Sequence, residues 1–77
     1  MKNLFTTRLQ ELIRESGKKQ NQISSELNIT KQKLSNWKLG YIEPCFDELL
    51  SIALYFDVTT DFLLGLEDEF GTKRKQE

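Results

Sequence analysis

Lysines and side-chain amides crowd the starts of two predicted helices, and they are the residues of this chain best suited to hold a ligand. Lys18-Lys19 stands immediately before the second helix, and Lys31-Gln32-Lys33 forms the first turn of the third, behind Thr30. A helix N-terminus carries partial positive charge and favours acidic side chains by ~0.3–1 kcal/mol each, so lysines there work against their own helix. Asp47 and Glu48 open the fourth helix and Asp61 the fifth, as the dipole prefers. The chain obeys the rule at two helices and breaks it at two. A phosphate supplies the missing negative charge from outside, held jointly by the helix end and the lysines. The blander reading is a solvated lysine surface whose dipole cost is small and screened by salt. Either way the chemistry is anion binding rather than bond making. With no His and one Cys, the chain offers no constellation of nucleophile, base and orienter, no internal disulfide and no zinc ligand set. No catalytic residue, cofactor or metal site is expected, and the chain reads as a non-enzyme.

Positioning these lysines falls to the stretch from Gln20 to Leu39, QNQISSELNITKQKLSNWKL. Its apolar residues Ile23, Leu27, Ile29, Leu34 and Trp37 are spaced so that one continuous helix cannot place them on a single face. Two helices are needed. Ile23 and Leu27 are four apart and mark the buried side of the first. Asn28 tolerates a left-handed backbone and suits the turn. Thr30 caps a second helix that buries Leu34 and Trp37, while Ser24 is small where the two helices cross. This is a helix-turn-helix, the unit that lays its second helix in a DNA major groove. Helical hairpins without a nucleic-acid role share part of the pattern. Trp37 invites a base-stacking role, but its place in the apolar register makes it core.

At 77 residues the chain has room for one domain, which buries only about 60% of its unfolded surface. The apolar fraction of 38% and charged fraction of 30% fit a helical domain of the soluble class. No apolar run approaches the ~20 residues of a membrane span, and MKNLFTTRLQ has no signal-peptide core. A cytoplasmic chain with no membrane partner is expected. The net charge of −1 conceals a split: residues 1–40 carry eight Lys and Arg against three Glu, and residues 41–77 carry three against nine acids. The basic half suits a polyanion, and the acidic half suits solvent or a protein partner.

Around that unit, Phe5, Leu9, Leu12 and Ile13 form the stripe of an amphipathic first helix ended by Gly17. Arg8, Glu11, Arg14 and Glu15 read as its solvated side. Lys38 and Tyr41, near the end of the third helix, can reach backbone phosphates, with Gly40 as the left-handed cap and Ile42-Glu43-Pro44 as the loop. The fourth helix, from about Cys45 to Phe56, is apolar on more than one side, as in the central packing helix of a bundle. Asp57-Val58 breaks it, Thr59 or Thr60 caps a short fifth helix, and Gly65 closes that. The expected domain is 1–65, followed by a charged tail over 66–77.

From Arg8 to Gly65, about three quarters of the chain, the sequence resembles the lambda-repressor-like, XRE-type helix-turn-helix family of bacterial and phage transcription regulators. The resemblance is carried by Gln20, the Ile23/Leu27/Ile29/Leu34/Trp37 register, Gly40, Pro44, Leu49-Leu50 with Ala53, Phe56 and Val58, and Asp61-Phe62-Leu63-Leu64-Gly65. It implies an all-α, compact five-helix domain with the helix-turn-helix formed by the second and third helices. It also implies sequence-specific binding of a double-stranded DNA operator, usually as a homodimer. The family's phosphate-contacting glutamine falls on Gln20, and its base-reading positions fall on Lys31, Gln32 and Asn36, flanked by Thr30 and Ser35. Gln or Asn pairs with the adenine edge and Lys with guanine. Lys33 and Lys38 are better placed for phosphates, joining Lys18, Lys19 and Tyr41. Departures from the family pattern are Lys18 and Lys19 in place of an apolar residue and a Thr, Asn28 for the turn glycine, Lys38 for a Glu, and Cys45 for a Ser cap.

The function expected is a DNA-binding transcriptional regulator, a phage or mobile-element repressor. The alternatives are an antitoxin-like regulator or a protein-interaction module on the same fold. A two-fold dimer spanning half-sites about 34–36 Å apart is expected, with Leu64, Leu66 and Phe70 as candidate contacts.

Overall fold

Left-handed residues punctuate the chain and fix where its helices stop. The computed structural model describes residues 4–66. Within them five helices run in order, α1 Phe5–Ser16, α2 Gln20–Glu26, α3 Lys31–Leu39, α4 Phe46–Phe56 and α5 Thr60–Leu64, with no strand among the described residues. Gly17, Gly40 and Gly65 cap α1, α3 and α5 in the left-handed region. Asn28 takes φ 59° in the turn between α2 and α3, and Asp57 takes φ 57° after α4. Short polar side chains bear that backbone at less cost than other L-residues, so Asn28 stands in for the turn glycine. The starts of α3, α4 and α5 are set by side chains. Thr30 Oγ1 accepts the Lys33 N–H at 3.0 Å, and Thr59 Oγ1 accepts the Phe62 N–H at 2.9 Å, caps worth about 1 kcal/mol each. At α4, Glu48 reaches back so that its Oε1 accepts the Cys45 N–H at 2.9 Å. Lys19 occupies the cap position of α2 and makes no side-chain bond there.

Packing follows the apolar register. α1 lies against α3 and α5, α2 against α3, and α4 against α5. Leu9, Ile23, Leu34, Ile52 and Leu63 are wholly buried, each contributing roughly 1.5–3 kcal/mol. Of the helix-turn-helix residues, Ile23, Leu34 and Trp37 are buried, and Leu27 and Ile29 are half-buried against them. Ser24 is buried too, its hydroxyl turned onto the Asn21 carbonyl at 3.1 Å. Trp37 is 2% exposed and is a core residue, which removes it from any stacking role.

Two readings of the sequence change. α4 is not covered all round: Ile52 and Ala53 are buried and Leu49 and Phe56 pack beside them, but Phe46, Leu50 and Leu54 are 92%, 52% and 73% exposed. These three are spaced four apart and form one stripe on the solvent side. Among the described residues the other four helices cover only one side of α4. Arg8 is a tie rather than a solvated charge. Its guanidinium donates to the Phe62 carbonyl and lies 4.1 Å from the centre of the Phe62 ring, fastening α1 to α5. Of the expected tail, only Leu66 is described; its N–H donates to the Asp61 carbonyl at 2.7 Å. Phe70 lies outside the described residues.

Candidate nucleic-acid interface

The N-termini of α1, α2 and α3 all carry no acidic residue in their first turn, and those of α2 and α3 are in addition flanked or occupied by lysines. Lys19 precedes α2 and is exposed, and Lys31, Gln32 and Lys33 form the exposed first turn of α3. The turn at Asn28 and the Thr30 cap hold α3 against the core through Leu34 and Trp37. That leaves Gln32 and Asn36, one turn apart, on its outer side, where the Gln32 Nε2 donates to the Asn36 Oδ1 at 3.1 Å. Ser35 and Asn36 are half-buried, while Thr30 is exposed. The far end of α3 is joined to the start of α2: Lys38 Nζ donates to Gln20 Oε1 at 3.0 Å. The same turn is braced from α1, because Gln10 Nε2 donates to the Lys38 carbonyl at 2.7 Å. Tyr41, 76% exposed, stands just beyond, its N–H bonded to the Asn36 carbonyl at 2.9 Å.

The expected phosphate-binding residues therefore divide. Gln20 and Lys38 come together, and Lys19 and Tyr41 face solvent. Lys18 turns toward the C-terminal end of α2, where its Nζ lies 3.1 Å from Glu26 Oε1 and 3.1 Å from the Tyr55 hydroxyl, over the Tyr55 ring. Lys33 crosses to α4 and pairs with Glu48, Nζ to Oε2 at 2.5 Å. Glu26 and Glu48 both titrate at about 2, well below the ordinary 4.5. For Glu26 the Tyr55 hydroxyl is the main cause, followed by the Gln22 amide and Lys18. For Glu48 it is Lys33, followed by the Cys45 N–H. The partners raise Lys18 and Lys33 in turn, while burial and Glu26 raise the Tyr55 hydroxyl.

Sequence reasoning missed these partners. Lys33 and Glu48 are fifteen residues apart and Lys18 and Tyr55 thirty-seven, beyond any helical periodicity. The one local signal was Glu48 three residues after a helix-capping position, which marks a capping carboxylate but not its second bond. The assembled surface offers ammonium groups, amide edges and uncapped backbone N–H groups. Such groups are suited to binding anions and hydrogen-bonding edges. Among the described residues no His, Cys, Asp and Glu group could hold a metal ion, and no helix is long and apolar enough to cross a membrane.

Known proteins are similar to this chain in sequence and fold. A helix-turn-helix domain model matches residues 6–69. The chain is 37% identical over 68 residues to the HTH-type transcriptional regulator ImmR of Bacillus subtilis strain 168, a match covering 88% of this chain and 53% of that protein. A crystal structure of a transcriptional regulator from Listeria innocua superposes with a TM-score of 0.79 at 29% identity, covering 90% of this chain and 64% of that one. The solution structure of the SOS-response transcriptional repressor LexA from Eubacterium rectale shares the fold, with a TM-score of 0.78 at 23% identity over 96% of this chain and 77% of that one. The chain spans about half the length of the curated relative it matches. With α2 and α3 set at the Asn28 turn and the domain match running across nearly all of the described helices, the chain belongs to the XRE-type helix-turn-helix family.

Proposed function

We propose that the chain is a sequence-specific DNA-binding transcriptional regulator, a repressor of phage or mobile-element type acting in the cytoplasm, with α3 in the major groove of a double-stranded operator. The observation that carries this reading is the first two turns of α3. They are capped by Thr30, carry lysines where the dipole favours acids, and present Gln32 and Asn36 side by side on the outer face. Lys31, Gln32 and Asn36 read base edges, flanked by Thr30 and Ser35. Gln20, Lys19, Lys38 and Tyr41 hold phosphates, joined by Lys18 and Lys33 once their carboxylate partners release them. ImmR and the Listeria innocua protein are described as transcriptional regulators, which supports the same role here.

A homodimer completes the proposal, since one α3 spans too few base pairs for high specificity. Leu64 and Leu66 are half-buried in their own domain. The α4 stripe is the better contact for a second copy. Its fourfold spacing is the ridge that packs against an identical ridge at about −50°, with Leu50 at the two-fold axis and Phe46 against the partner's Leu54. The three side chains expose on the order of 400 Å², about half of what one side of a standard interface buries. A weak dimer, consolidated on DNA, is the outcome.

The test is selection of bound duplexes from a random DNA pool, followed by titration of the winner against scrambled DNA at two salt concentrations. Enrichment of a palindrome with steep salt dependence is expected. Absence of any enriched sequence rejects the reading in favour of a protein-interaction or antitoxin-like module, for which the exposed α4 stripe is the supporting observation.

A further inference from the structure

Glu48 is held in place by α4 and aimed at α3. One of its oxygens accepts the Cys45 N–H at 2.9 Å and the other lies 2.5 Å from the Lys33 ammonium. Its side chain is 25% exposed, against 47% for Lys33. The carboxylate is thus the doubly held partner and the lysine the more exposed one. Lys33 sits in the first turn of α3, its own N–H bonded to the Thr30 cap. The ammonium already has, from its own chain, the kind of anionic oxygen that a DNA phosphate would offer. The other lysine of that turn, Lys31, has no ion pair among the described residues.

We propose that Glu48 is a specificity-determining residue, an internal competitor for DNA phosphate that withholds Lys33 from sequence-independent binding. The inference rests on the DNA-binding reading of α3 and adds to it a residue that touches no DNA in its resting role. Sequence-independent affinity comes almost wholly from phosphate neutralisation and counterion release. A lysine that must leave a carboxylate to reach a phosphate contributes little to it. While Lys33 stays on Glu48 it neutralises no phosphate and displaces no condensed counterion, so it adds almost nothing to the salt slope on nonspecific DNA. On the operator, base contacts fix the register of α3 and bring a phosphate to bonding distance of Lys33, and the exchange then goes through. Glu48 therefore widens the ratio of specific to nonspecific affinity.

Glu48→Gln tests this with little risk to the fold, because the amide oxygen can still accept the Cys45 N–H; the thermal melt confirms it. Parent, Glu48→Gln, Lys33→Gln and the double variant are titrated with the selected operator and with scrambled duplex at 50 and 200 mM salt. The expected result for Glu48→Gln is tighter binding to scrambled duplex, with a salt slope steeper by about 0.9, or roughly a threefold larger loss between the two salts. Operator affinity changes less, so the specificity ratio falls. Lys33→Gln abolishes the gain in the Glu48→Gln background and leaves the scrambled-duplex slope of the parent nearly unchanged. Glu48→Gln with parental affinity and slope on scrambled duplex overturns the role of Glu48 while leaving the regulator reading intact. A parent that prefers no DNA sequence overturns both.

Discussion

Replacing Gly65 by Ala, with Gly17→Ala as its control, measures how tightly the two ends of the fold are closed on each other. Both glycines have positive φ, 90° and 70°. An added Cβ is strained there by about 1–2 kcal/mol. The surroundings differ. A Cβ at Gly17 meets nothing within 4 Å, whereas one at Gly65 falls 2.9 Å from Leu4 Cγ and 3.1 Å from its Cδ1. Leu4 enters α1 directly, its N–H facing the Leu64 carbonyl at 3.4 Å, so moving it disturbs the seam that Arg8 fastens one turn later. Forcing such a contact adds about 1–3 kcal/mol. Entropy lost from the unfolded chain is common to both substitutions and cancels. For a domain of this size 1 kcal/mol moves Tm by roughly 4–8 °C. The expected losses are about 4–16 °C for Gly17→Ala and roughly twice that or more for Gly65→Ala, followed by circular dichroism melts with urea titrations for ΔG. Equal losses would show that the end of α5 does not close on the start of α1.

Three further outcomes follow from the site and its ion pairs. Gln32→Ala loses ~1–3 kcal/mol of discrimination at one base position of the operator and leaves scrambled-duplex affinity unchanged; a uniform loss on all sequences places Gln32 off the bases. Glu26 and Glu48 have folded values of about 2 against 4.5. The stability their charged forms supply is complete above pH 4.5 and is lost as pH falls from there toward 2. The slope is shallow because the side chains are partly solvated. Tm of the parent falls across that window and Glu26→Gln reduces the fall; identical acid profiles reject the Lys18, Glu26 and Tyr55 cluster. Leu50→Glu lowers the dimer fraction in sedimentation while Leu66→Glu does not, and the reverse result returns the interface to the C-terminal end of the domain.

The helix-turn-helix was legible because each of its parts obeys a local rule. The register of Ile23, Leu34 and Trp37 is periodic, Thr30 lies at a capping distance, and Asn28 is one of the few residue types at ease with positive φ. The face of α3 that carries Gln32 and Asn36 follows from the same periodicity, as the complement of what is buried. What the sequence concealed was how charges are spent. Arg8 on Phe62, Lys18 on Tyr55 and Lys33 on Glu48 join residues from separate helices, and such pairs are set by tertiary packing alone. The exposed side of α4 was hidden for a related reason. Phe46, Leu50 and Leu54 are as apolar as Ile52 and Ala53, so composition could say that the helix has two apolar sides but not which would lack a neighbour.

Trp37 is the chain's single tryptophan and is buried behind α3. The protein therefore contains its own optical reporter at the back of the element proposed to enter DNA. Its emission registers whether α3 is seated on the core, and the outer face can be occupied without altering its surroundings. Loss of binding in a variant with parental emission is a fault of the contact surface. Loss accompanied by a red-shifted emission is a fault of the scaffold. One wavelength scan sorts the Gln32, Lys33 and Glu48 variants into one kind or the other before any DNA is added.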